Sequence, residues 1–210
     1  MKLTVLLISI CIIAYLYPFF AGGDINAYYN TYGFSFSTVV AQPWTLITSI
    51  FMHGSLEHLL SNVLVWLFFG IAIESELGVS RYLFIFIGGA FVGDLLSWFF
   101  YSPETLFIGA SAGIFALIGA GMLVKPMDVS LYPLLVPIPL ALIGMAYVVL
   151  NVYSLFAGGA GNISYIGHMG GLVVGFAYGF KRAGTRRTLI ILFTTLAVLA
   201  AAAFLFYFIL

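Results

Sequence analysis

"GASAGIFALIGAG", residues 109–121, is the stretch on which the reading of this chain turns. Gly109, Ala112, Gly113, Ala116 and Ala120 are small enough to let one membrane helix lie close against another. Ser111 adds nothing to such packing, and the run stops shortly before the next charge, Lys125. The depth of this serine in the bilayer, and what faces it, must therefore be read from the rest of the chain.

The chain has 210 residues, 63% of them hydrophobic and only 7% charged. A soluble domain of that composition would lack the polar surface to cover its core, so an all-α integral membrane protein is expected. Besides the short run Ser111–Val124, apolar stretches at 3–20, 56–73, 82–101, 134–156, 165–180 and 188–210 are long enough to cross a hydrocarbon core of ~30 Å. Seven helices in one polytopic bundle follow, with no soluble domain and no internal repeat.

Lys and Arg accumulate in cytoplasmic loops. With the N-terminus inside, Lys2, Arg81, Lys125 and the cluster Lys181, Arg182, Arg186 and Arg187 all fall on the cytoplasmic side, leaving no basic residue outside. Residues 1–23 have the outline of a signal peptide, but the run is long for an h-region and lacks a clean A-x-A site, so a retained first helix is expected. Cys11, the one cysteine, excludes disulfides and zinc–cysteine sites, and a net charge of zero gives no hint of a nucleic-acid partner.

A long segment, 21–54, separates the first two spans, with Asp24 as its only acidic residue and no Lys or Arg. Tyr28, Tyr29, Tyr32, Phe34, Phe36 and Trp44 place it in the outer interface, where aromatic rings with polar edges are favoured. It serves either as a plain aromatic belt or to position substrate or lipid beside a site.

The three histidines, His53, His58 and His168, sit at or inside the outer half of a helix on this reading. Taken singly, His58, Asn62 and His168 are polar ties between helices. Their depths argue for more. Asn62 precedes the inner-end Glu74 by twelve residues, Ser111 precedes Lys125 by fourteen and His168 precedes Lys181 by thirteen. At about 1.5 Å per residue these are heights of ~18, ~21 and ~20 Å. Three polar residues from separate helices at one level, ~10 Å below the outer surface of a ~30 Å core, suggest a shared site.

The Ser111 helix is short because it starts below the surface. The chain entering it, "SPETLFIGA", must descend without a full set of helical hydrogen bonds, which is tolerated only under protein or in a wet cavity. A water-accessible pocket open to the outside is expected, and hydrolysis becomes possible there. His58 and Asn62, four apart, share a helical face. "HMGGLVVG" sets His168, Gly171 and Gly175 on another face, where glycines admit a close neighbour, and the Ser111 helix is the natural partner. Close approach brings Ser111 Oγ to His168, the minimum for an activated nucleophile. The Ser111 N–H, free at a helix start, together with His58 and Asn62, can form an oxyanion hole.

These residues resemble those of the rhomboid family of intramembrane serine proteases. The similarity runs through "HGSLEHLLSN", "GIAIESELG", "GASAG" and "HMGGLVVG", in that order and each on the matching helix, and covers the chain to about Lys181. It implies a polytopic bundle with a rhomboid-like six-helix core over 1–181 and an additional C-terminal transmembrane helix over 182–210, with 21–54 as the long first outer loop. It implies Ser111 as nucleophile, His168 as general base, His58 and Asn62 as oxyanion donors, and His53 in a supporting role. Gly109, Phe115, Gly171 and Gly175 pack the site, with Phe115 at an aromatic position over the catalytic imidazole; ordinary core packing of Phe115 is the other reading. No cofactor and no metal are implied. The partners are single-pass or polytopic membrane-protein substrates and the lipid bilayer, and the oligomeric state stays open. The expected place is a prokaryotic cytoplasmic membrane, N-terminus inside and active site opening outward.

Two positions depart from the family's common form. Ala112 follows the serine where Gly is usual, and Trp44-Thr45 stands where Trp-Arg is frequent. Other intramembrane chemistries fit less well. H-E-x-x-H, the zinc protease signature, does not occur, and His53 and His58, five apart, cannot share a helical face. An aspartyl protease wants two intramembrane aspartates, whereas Asp94 stands alone; a triad through Asp94 is a minor option beside a dyad. The alternative from another class is a non-catalytic rhomboid-like protein that binds or escorts membrane helices. Inverted repeats and paired broken helices, the marks of a transporter, are not visible.

Overall fold

In a bilayer every backbone polar group must be satisfied within the protein, and the chain answers with helices throughout. The computed structural model describes residues 2–129, 138–158 and 163–209. Its helices are α1 Lys2–Ala21, α2 Ile25–Tyr32, α3 Thr45–Thr48 (continued by a 3-10 turn, Ser49–Phe51), α4 Leu56–Leu77, α5 Val79–Ser97, α6 Ser111–Val124, α7 Leu140–Phe156, α8 Tyr165–Ala183 and α9 Thr185–Ile209. Four of them, α1, α4, α5 and α9, are long and apolar enough to cross a membrane, and α6 and α7 are shorter apolar helices. This is an all-helical, polytopic membrane bundle.

Element limits differ from the sequence reading where local chemistry intervenes. The third span, expected to reach 101, ends at Ser97, whose hydroxyl donates back to the Gly93 carbonyl at 2.9 Å. Turn bonds from Phe99 and Phe100 to Leu96 and Ser97 then tighten the chain ahead of Pro103. The first residues of the span expected from 134 lie outside the described residues. His53 is not in the same helix as His58: α4 starts at Leu56, capped by Ser55 Oγ, which accepts from His58 N–H at 3.1 Å. The segment expected as an interfacial loop carries helix of its own, α2, capped by Asp24.

α6 is the centre of the bundle. Gly113 through Leu123 are all buried, enclosed by α4, α5, α7 and α8. The closest approach is to α8, where a Cβ at Gly171 would overlap the Ala112 carbonyl oxygen and one at Gly175 the Ala116 carbonyl oxygen. On the α5 side, Gly89 meets Ala116 and Gly93 meets Ala112. Bare backbone on α5 and α8 therefore lets both lie directly against α6, on the α8 side within carbonyl contact that no larger residue would allow.

One end of the bundle is tied by Glu74, near the end of α4. Its carboxylate accepts from Leu3 N–H at 3.0 Å, Thr4 N–H at 2.9 Å and Thr4 Oγ1 at 2.8 Å. Gly70, one turn earlier, leaves room for the Thr4 side chain, since a Cβ there would lie 2.7 Å from Thr4 Cγ2. The "GIAIESELG" segment thus docks the start of α1, and Gly78, at φ +76°, turns the chain into α5. The α1 start, the α4–α5 turn, the α6 end and the α8–α9 turn share this end, so all seven Lys and Arg residues gather here, opposite Ser111.

Candidate active site

The path into α6 is irregular, and the first loop satisfies it. Phe34 and Phe107 exchange backbone hydrogen bonds of 3.0 and 2.7 Å, and Gly109 N–H donates to the Ser49 carbonyl at 2.9 Å. Phe36 and Trp98 pack edge to face beside them at 4.4 Å. Gly109 has φ +118°, in the region only glycine enters readily, and a Cβ on it would lie 2.7 Å from His58 Nε2. The chain thus crosses directly over the His58 ring before α6 begins at Ser111. The preceding residue, Ala110, offers no side-chain cap, so the N–H groups of the first turn lack acceptors from within the helix.

α8 starts one helix away, capped by Ser164 Oγ, which accepts from Gly167 N–H at 3.0 Å and meets Ser97 Oγ at 3.1 Å. The Gly171 and Gly175 contacts hold α8 against α6, and His168 Nε2 comes to 2.9 Å from Ser111 Oγ. Phe115, one turn into α6, stacks on the imidazole with ring centres 4.3 Å apart and planes 9° from parallel. Ser111, His168 and His58 are each only partly buried, so the pair is reachable from its own end of the bundle.

Of the remaining residues read from the sequence, Asn62 is buried and donates one amide N–H to the His58 carbonyl at 2.8 Å, within its own helix. Its second N–H has no hydrogen-bond partner among the described residues. The His58 ring has no hydrogen-bond partner among the described residues and meets His53 edge-on, with centres 4.9 Å apart. His53 is 1% exposed, its two ring nitrogens lack hydrogen-bond partners among the described residues, and its backbone carbonyl accepts from Tyr29 Oη at 2.9 Å. Burial, reinforced by His58, pushes the His53 imidazole down to about 4, so it is neutral and supports the His58 ring by contact. Among the described residues, no three His, Cys, Asp or Glu side chains converge as metal ligands would.

The Rhomboid domain family model matches residues 40–185. The chain belongs to the rhomboid family. It is 30% identical over 97% of its length to the rhomboid protease GluP of Bacillus subtilis. It is 30% identical over 66% to rhomboid-like protease 1 of Toxoplasma gondii and 31% identical over 65% to RHOMBOID-like protein 1 of Arabidopsis thaliana. These matches take in 40%, 46% and 34% of the relatives' own lengths, so the chain spans less than half of each.

In this rhomboid the two departures from the common pattern have local explanations. The Ala112 methyl lies against Gly93 of α5, where a Cβ would come within 2.7 Å of it, so the bare backbone at 93 houses the extra carbon. Thr45 is fully buried and its hydroxyl donates to the Gln42 carbonyl at 2.6 Å, while Trp44 Nε1 donates to the Thr31 carbonyl at 2.9 Å. That corner is closed by neutral turn bonds, without a cation.

Sequence reasoning missed Asn151. This α7 residue places Oδ1 2.8 Å from His168 Nδ1, and its Nδ2 donates to the Tyr165 carbonyl at 3.1 Å. Asp94 is thereby not the group on that nitrogen. The signal was present: Asn151 is the one amide or charged residue in "LALIGMAYVVLNVYSLF", and Tyr147, one turn earlier on the same face, meets Phe115 edge-on at 6.4 Å.

Proposed function

We propose that this rhomboid is an intramembrane serine endopeptidase acting on other membrane proteins through Ser111 and His168. The observation that carries the reading is the 2.9 Å contact between Ser111 Oγ and His168 Nε2 at the start of a helix with free N–H groups. His168 Nε2 takes the hydroxyl proton as Ser111 Oγ bonds to the scissile carbonyl carbon, and the C=O electron pair moves onto oxygen. The resulting oxyanion is met by the Ser111 N–H, with His58 and the uncommitted Asn62 N–H as side-chain donors. Collapse breaks the C–N bond as the His168 proton passes to the leaving amine. Water then attacks the acyl-serine carbonyl carbon, giving a proton to His168 Nε2, which passes it to Ser111 Oγ as the acyl C–O bond breaks and the new carboxyl terminus leaves.

Phe115 holds the imidazole plane, Gly109 lets His58 approach, and Gly171 and Gly175 set the spacing of the pair. By the positive-inside rule the basic end is cytoplasmic and the pair opens on the opposite face, near the outer third of the bilayer. On this reading residues 1–181 form the catalytic core and α9 is an additional helix. The substrates are transmembrane segments, or residues flanking them, that unwind enough to present a carbonyl to Ser111. The test is cleavage of several single-pass substrates by the purified protein against its Ser111→Ala form. Cleavage by the wild type alone supports the proposal; equal cleavage by both removes Ser111, and no cleavage by either favours the helix-escort reading.

A further inference from the structure

The proposed mechanism asks His168 to accept a proton at Nε2, which requires the other ring proton to sit on Nδ1. Neutral imidazole carries one proton on either nitrogen, and the wrong choice leaves Nε2–H facing Ser111 with no lone pair to receive its proton. A dyad offers no chemical reason for the right choice. Asn151 does.

The amide of Asn151 has two distinct ends. Nδ2 donates to the Tyr165 carbonyl at 3.1 Å, and a carbonyl can only accept, so the nitrogen end belongs there. Oδ1 is thereby turned to His168 Nδ1 at 2.8 Å, and an amide oxygen can only accept, so Nδ1 carries the hydrogen. Reversing the amide would set two acceptors against each other at Tyr165 and abolish that bond. The residue is 4% exposed, leaving no room for solvent to substitute for either contact. The Tyr165 carbonyl belongs to the first residue of α8 and His168 follows within one turn, so one α7 side chain grips both the backbone and the ring of the same helix start.

We propose that Asn151 is a positioning residue that fixes the Nδ1–H tautomer of His168, so that the serine–histidine pair is oriented by a third, non-reacting side chain. The inference rests on the proposed role of His168 as base. Asn151 touches no reacting atom: it sets the ring's tautomer and orientation and, being neutral, leaves the charge of the transient imidazolium to be met by the amide dipole alone. In the Ser-His-Asp case, loss of the correct tautomer is the known route by which a change in the third residue disables a base.

The test is nitrogen-15 NMR of the full chain in micelles, labelled at histidine, with the His168 signals identified by their loss in His168→Ala. Wild type is expected to show a protonated, pyrrole-like Nδ1 and a pyridine-like Nε2. Asn151→Leu, similar in volume but with no acceptor, should gain the Nε2–H form and lose on the order of 10²- to 10⁴-fold in kcat with KM within about twofold. Asn151→Asp keeps an acceptor toward Nδ1 and should retain the wild-type tautomer, which also covers the case in which Asn151→Leu fails to fold. An Nε2–H tautomer in wild type, or the Nδ1–H tautomer with unchanged kcat in Asn151→Leu, overturns the proposal and leaves Asn151 a tie between α7 and α8. The NMR arm needs no substrate, so a wrong reading of the reaction would not be confused with a wrong reading of Asn151.

Discussion

Gly171→Ala adds one methyl where α8 touches α6. That carbon would lie 2.8 Å from the Ala112 carbonyl carbon and closer still to its oxygen, against an ordinary contact of 3.4–4 Å. The obstacle is backbone, which cannot swing aside, so α8 must retreat by roughly 1 Å at this point, the scale on which packed interiors resist insertion. His168 lies three residues before Gly171 on the same helix and its ring moves with it, opening the 2.9 Å contact to Ser111 past hydrogen-bonding range. A misplacement of about 1 Å at reacting groups costs on the order of 10²-fold, or ~2.7 kcal/mol, while overpacking alone lowers stability by ~1–3 kcal/mol. The assay is the rate at which a fluorophosphonate labels Ser111, measured well below the melting temperature and corrected for the folded fraction. Gly88→Ala is the control, because a Cβ there meets only Val174 at 3.8 Å. Labelling should fall about 100-fold in Gly171→Ala and stay at the wild-type rate in Gly88→Ala. Wild-type labelling in Gly171→Ala would refute the claim that this contact sets the Ser111–His168 distance.

Gly109→Ala combines a φ of +118° with a 2.7 Å approach to His58 Nε2. Backbone strain of ~1–3 kcal/mol is expected in unfolding experiments, with loss of a side-chain oxyanion donor lowering kcat on the order of 10²-fold; unchanged kcat would detach His58 from the oxyanion. His53 is held neutral in the folded protein down to about pH 4, whereas in the unfolded chain it protonates near its ordinary 6.5. The unfolded state therefore binds the extra proton between these values, so stability is full above about pH 6.5 and falls by roughly 3 kcal/mol as the pH drops toward 4. In His53→Leu that part of the acid sensitivity should vanish; an identical pH profile would show that His53 titrates alike in both states. Glu74→Ala removes the acceptor for Leu3, Thr4 N–H and Thr4 Oγ1. A drop of ~1.5–3 kcal/mol is expected for even one charge-assisted bond, with labelling of Ser111 per folded molecule unchanged, since the tie lies at the opposite end of the bundle.

The bundle was legible because the bilayer imposes long apolar helices and the Lys and Arg residues gather at one end of the bundle. The candidate site was legible to the extent that polar side chains are costly in lipid and recur at one depth: Ser111 and His168, set at one height by their spacing from Lys125 and Lys181, lie 2.9 Å apart. Asn151 carries the same signal, but its helix offers no charged end near enough to measure its depth from. The role of Glu74 as an acceptor for α1 could not be read because its partners are seventy residues away. Nor could α2 or the Phe34–Phe107 pairing, since an aromatic segment with no period fits an interface in many conformations. His53, expected at the outer end of a helix, lies just ahead of α4 because Ser55 caps that helix after it. Ala112 departs from the family form only as a single residue; its neighbour Gly93, nineteen residues upstream, explains it.

The central claim is that Ser111 is made nucleophilic by His168. The most direct measurement is the fluorophosphonate adduct, located by mass spectrometry of the intact purified protein and its fragments. A single adduct on Ser111, lost in Ser111→Ala and in a folded His168→Ala, is the predicted result. Absence of any adduct in the wild type, or undiminished labelling of Ser111 without His168, would contradict it.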